Sequence, residues 1–71
     1  MKGHIIDFDQ DLCRIEVQVD EFAITLLRKS DGTLKKGAVA NYACGNSRPP
    51  TRTHYREAYR VARGFLKAKG H

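Results

Sequence analysis

An α+β fold is predicted, a small antiparallel meander sheet of three to four strands with one C-terminal amphipathic helix packed on it. Three features carry that reading. Residues 12–20, LCRIEVQVD, alternate apolar and polar side chains without a fault, which is the period of a strand with one face buried. Asp31-Gly32 separates two apolar stretches and signals a hairpin, because glycine takes the left-handed backbone at no steric cost. Beyond residue 52 the period lengthens, so that Tyr55, Ala58, Tyr59, Ala62, Phe65 and Leu66 fall on one helical stripe with Val61 at its edge.

Taken in order, HIIDF (4–8) is a short apolar run closed by DQD, a first strand and a turn. The second strand, 12–20, puts Cys13, Ile15, Val17 and Val19 on its buried side and Arg14, Glu16, Gln18 and Asp20 on its wet side. Asp20-Glu21 lacks the positive-φ residues that a tight hairpin prefers, so a looser turn or a bulge is expected before the third strand, FAITLLRK (22–29). Asp31-Gly32 then reads as a two-residue hairpin into LKKGAVANYA (34–43), where Gly37 hints at a bulge or a close backbone approach. CGNSRPPT (44–51) is a linker, since tandem prolines bar helix just before them. Thr51 or Thr53 caps a helix of about 52–69 that closes with Lys67, Lys69 and Gly70. Residues 1–71 thus form one domain, with the sheet over about 4–43. Its size is near the lower limit for a single apolar core.

Hydrophobic content of 41% and charged content of 30% argue against disorder of the whole chain. The net charge of +5 is unevenly placed. Residues 1–47 hold six Lys/Arg against seven Asp/Glu, whereas residues 48–71 hold seven against Glu57 alone. An excess of +6 in the last third favours a nucleic acid, an anionic membrane or an acidic protein as partner. The membrane is set aside because the apolar stripe of the helix is needed to cover the sheet. No apolar run approaches a membrane span and MKGHIIDFD has no secretory pattern, so the chain reads as cytoplasmic with free thiols.

The candidate binding residues are Arg56, Arg60, Arg63 and Lys67 along the helix flank, Arg48 and Arg52 leading into it, and Tyr55 among them. Each cation engaged by a phosphate releases condensed counterions, and arginine grips phosphate in a bidentate fork. A solvated helix face usually mixes signs for i,i+4 pairing, and here Glu57 is the only anion in two dozen residues. Tyrosine between cations suits a stacked base, as single-strand binders require, although Tyr59 and Phe65 are assigned to the core.

Other constellations fall away. Asp7, Asp9 and Asp11 open like a calcium loop, but Leu12 and Gln18 occupy the places of the required glycine and glutamate. His4, Cys13, Cys44 and His54 lack the close spacings of structural zinc. Cys44 with His54 shows no sign of an oxyanion hole. No metal, cofactor or catalysis is therefore expected.

MKGHIIDFD resembles the first strand of the cold-shock family, five-stranded barrels that bind single-stranded nucleic acid, and LKKGAVANY resembles a later strand of theirs. That likeness covers fewer than twenty residues, and DLCRIEVQV has no aromatic where the family carries its stacking platform. It leaves a small five-stranded OB/SH3-like barrel as a second fold option and lends no binding residue. The order of strands and helix is also similar to the three-stranded DNA-binding domains of integrase N-termini, in architecture alone. The expectation is a small non-catalytic protein that binds DNA or RNA phosphates through its basic C-terminal segment, with modest sequence specificity. The alternative is a regulatory module docked on an acidic protein, and a free sheet edge offers a route to a homodimer.

Overall fold

A computed structural model describes residues 2–41 and 49–70. The chain runs β1 (Gly3–Asp9), β2 (Arg14–Val19), β3 (Phe22–Arg28), β4 (Leu34–Asn41) and α1 (Arg52–Ala68). The strands lie antiparallel in sequence order, β1-β2-β3-β4, with the helix across one face. The sheet does not close, which overturns the barrel option. With four strands and a helix already covering the apolar face, nothing drives β1 to meet β4.

The core follows from the period-two pattern of β2 and β3. Ile15, Val17 and Val19 stand directly opposite Leu26, Ile24 and Phe22, and all six are at most 2% exposed. Burial of such side chains stabilises by roughly 1.5–3 kcal/mol each. Onto this plate α1 sets Ala58, Ala62 and Leu66. The two alanines have no bulk to hold the helix off, and both are fully buried. Ile5, Phe8, Val61 and Phe65 seal the β1 side, where the Phe8 and Phe65 rings meet edge to face at 5.0 Å.

Three connections correct the sequence expectations. Val19 pairs with Phe22, so Asp20-Glu21 is a tight two-residue turn and not a looser one. Asp20 adopts φ 54, which aspartate tolerates better than most residues because its short side chain bonds locally. Cys13, expected on the buried side of β2, is exposed with φ 52 at the end of the β1–β2 turn. Its N–H donates to the Gln10 carbonyl at 3.2 Å while the Leu12 N–H donates to Asp9 Oδ1 at 3.1 Å. Closing this turn takes Leu12 and Cys13 out of the strand, which begins only at Arg14. Finally, the loop before β4 has three residues, Ser30 to Gly32, not two. Lys29 N–H donates to the Thr33 carbonyl at 2.7 Å and Gly32 N–H to the Lys29 carbonyl at 2.9 Å. Gly32 sits at φ 89, the left-handed position that completes a turn-plus-bulge hairpin. Asp31 accepts from the Thr33 hydroxyl at 2.6 Å and from its N–H at 3.0 Å, which lowers the Asp31 pKa.

Two bulges set which side chains reach the helix. In β1, Ile5 opposes Val17 but Asp7 opposes Glu16, so the extra Ile6 turns outward and both Ile5 and Phe8 stay inward. In β4, Val39 opposes Ile24 and Lys36 opposes Leu26, with the register shift between them. This realises the irregularity expected at Gly37. A Cβ there would stand 3.0 Å from the Thr25 carbonyl oxygen, too close for any other residue without movement. The shift brings Lys36 onto the helix side of the sheet. The expected strand end at 42–43, most of the linker, Cys44 and Arg48 lie outside the described residues.

Candidate nucleic-acid interface

Two anchors fix α1 on the sheet. Thr51 is the cap residue. His54 Nδ1 accepts the Thr51 N–H at 2.9 Å and lies 2.8 Å from the Thr51 hydroxyl, while Nε2 lies 3.2 Å from Asp20 Oδ2. Because a backbone N–H can only donate, the imidazole proton belongs on Nε2, directed at Asp20. The ring also packs edge to face on Phe22 at 4.7 Å. One turn further on, Glu57 Oε2 accepts the Gly3 N–H of β1 at 2.7 Å.

Arg60 belongs to that second anchor. Its Nε donates to Glu57 Oε1 at 2.8 Å and its Nη2 to Oε2 at 2.6 Å. The Arg60 bonds, followed by the Gly3 N–H, hold the Glu57 pKa down to about 2 from 4.5. The carboxylate form is favoured in the folded chain, so its stabilisation is complete above about pH 4.5 and is lost as pH falls towards 2. Glu57→Gln is expected to be less stable than the parent chain near neutral pH, with the gap narrowing across that acid window. Urea midpoints at neutral pH and near pH 2.5 measure this. A gap that stays constant would show that the carboxylate does not anchor β1.

The opposite flank of α1 faces β4, and there the helix leaves a trench, because it lies mainly over β1, β2 and β3. One cavity along it, of 380 Å³, is lined by Lys36, Pro50, Arg52, Tyr55, Arg56 and Tyr59. A second, of 330 Å³, is lined by Gly32, Thr33, Leu34, Arg63, Leu66 and Lys67. From Arg52 to Lys67 the helix advances roughly 22 Å at its usual rise. Tyr55 and Tyr59 pack their bodies against the core. Lys36 Nζ stands 4.2 Å over the Tyr55 ring, and the Arg63 guanidinium 5.4 Å from the Tyr59 ring. These cation–aromatic contacts orient both charges along the trench.

The structure therefore gathers Arg52, Tyr55, Arg56, Arg63 and Lys67 beside β4 and sets Arg60 apart on Glu57. Arg48 is outside the described residues. Lys36 and Tyr59 are the lining residues that sequence reasoning missed. Lys36 is concealed by the β4 bulge, and Tyr59 is both core and trench wall. Among the described residues, Arg52, Arg56, Arg63 and Lys67 enter no ion pair. The acidic DFDQD segment serves its own hairpin: Asp7 meets Arg14 at 3.4 Å and Asp9 closes the turn.

A further cavity, of 520 Å³, lies at the helix cap between Asp20, Glu21, Phe22, Pro49, Pro50, Thr51 and His54. Its two carboxylates disfavour an anion, and its position marks it as the seam between the helix start and the β2–β3 turn. Among the described residues no group of three or more His, Cys, Asp or Glu is placed to hold a metal ion, and no helix is long and apolar enough to cross a membrane. The chain matches no family model, no curated protein and no solved structure.

Proposed function

We propose that this chain is a small non-catalytic nucleic-acid-binding protein whose phosphate contacts come from Arg52, Arg56, Arg63 and Lys67 of α1 and from Lys36 of β4. One observation carries the reading. Five cations line two cavities on the β4 flank of α1, and the four on the helix have no carboxylate partner among the described residues. Like charges at i,i+4 repel by a few tenths of a kcal/mol per pair, and a polyanion laid along the trench relieves that cost. Sequence specificity is modest, because α1 uses its apolar stripe on the sheet and cannot also lie deep in a groove.

Titration of labelled single-stranded and duplex DNA across salt tests this. Five phosphate contacts correspond to a log–log salt slope of about −3.5 for single strands and −4.5 for duplex. A flat salt response would remove the reading. So would poly-glutamate bound as tightly as nucleic acid at equal salt, an outcome that points to an acidic protein surface instead.

A further inference from the structure

We infer that the trench between α1 and β4 takes single-stranded nucleic acid in preference to duplex. The inference rests on the polyanion reading above and narrows it to a substrate class.

The stripe of the helix beside the β1 anchor is poorly equipped for a duplex. Thr53, Glu57, Arg60 and Gly64 follow one another at spacings of four, three and four, which places them on one stripe. On it the charges of Glu57 and Arg60 cancel through two hydrogen bonds, and Gly64 offers no side chain. A helix laid on a duplex by this stripe has little with which to read base edges or to grip the flanking phosphates.

The unpaired charge lies instead along the β4 flank, on exposed side chains. Arg52, Arg56 and Lys36 surround Tyr55 and Tyr59 at one cavity, and Arg63 and Lys67 line the next. Following this line along the helix suits a backbone that can bend. The half-buried tyrosine rings add a second argument. In a duplex the base faces are stacked on one another and unavailable, whereas an unpaired base can turn to an aromatic wall or to an arginine plane. Alternation of cation and ring is what a single strand, with alternating phosphate and base, can match along its length. The trench spans roughly 22 Å of helix, a length suited to a few nucleotides, at the short end of single-strand site sizes.

The test uses the full chain with a fluorescent thymidine oligonucleotide of about 12 nucleotides and a mixed-sequence duplex hairpin of similar length, followed by anisotropy at low and moderate salt. The single strand is expected to bind at least about tenfold tighter than the duplex. Tyr59→Leu, which keeps apolar bulk but removes the ring, is expected to weaken single-strand binding about 5-fold or more, and Tyr59→Phe to stay within about twofold. A circular-dichroism melt establishes that each variant folds. Lys36→Glu, at an exposed position of β4, gives a second probe and is expected to lose about tenfold.

Equal or tighter duplex binding would overturn the single-strand inference and leave the polyanion reading standing. Failure to bind either probe at low salt would overturn both. Parent-like binding by Tyr59→Leu, or by Lys36→Glu, would remove the trench as the single-strand site.

Discussion

Phe22→Ala is expected to cost about 3–5 kcal/mol of folding stability, a large share of the ~4–11 kcal/mol that a chain this short can hold. Phe22 is 2% exposed and opens β3 directly after the Asp20-Glu21 turn, opposite Val19. Its ring has a second task, because His54 packs on it edge to face while reaching Asp20 and Thr51. Truncation to a methyl group removes core volume beneath the sheet and the seat of the helix's first turn together. Relaxation is restricted on both sides by the tight turn and by the cap, so the cavity stays open and the cost falls in the upper part of the usual range. Urea denaturation followed by circular dichroism measures the loss. Leu12→Ala, at a position 62% exposed in the β1–β2 turn, is the control and should stay within about 0.5 kcal/mol. A cost below about 1 kcal/mol for Phe22→Ala would mean that the helix start is not built on this ring.

The fold was legible where one residue decides one local outcome. Alternation in β2 and the stripe of Ala58, Ala62 and Leu66 each report a single buried face, and the structure buries those faces. Departures arose where closure of a turn overrides the pattern. The run LCRIEVQVD alternates through Cys13, yet the backbone must reverse there, and a left-handed residue delays the start of the strand to Arg14. Asp20 shows the same competition, with two strands whose apolar registers meet at Val19 and Phe22 leaving only two residues to connect them. The candidate site was half legible for a related reason. Arg52, Arg56, Arg63 and Lys67 follow from helical spacing, but the part of Lys36 depends on a register shift at Gly37 that strict alternation hides. The separate fate of Arg60 depends on Glu57 also capturing the Gly3 N–H, a contact across 54 positions of sequence.

That separation gives the second large expected effect. If the phosphate contacts run along the trench, the double variant Arg56→Ala with Arg63→Ala removes two of five, and the single-strand salt slope should fall from about −3.5 to about −2.1. Between 50 and 200 mM salt the parent chain then loses roughly a hundredfold in affinity and the double variant only about twentyfold, with weaker binding throughout at the lower salt. Arg60→Ala should leave the parent slope intact, because its guanidinium is committed to Glu57 and faces away from the trench. Its consequence appears in folding: without Arg60 the Glu57 carboxyl loses the larger of the two contacts that keep its pKa near 2, and the acid transition of the protein moves to higher pH. The two outcomes are opposite in kind, since one set of arginines changes binding and spares acid stability while the other does the reverse. Charge counting along the helix cannot distinguish the two cases, as every one of these residues carries the same unit charge. An Arg60→Ala variant whose salt slope falls as far as one half of the double variant's change would show that Arg60 binds, and the assignment of contacts to the β4 side would fail.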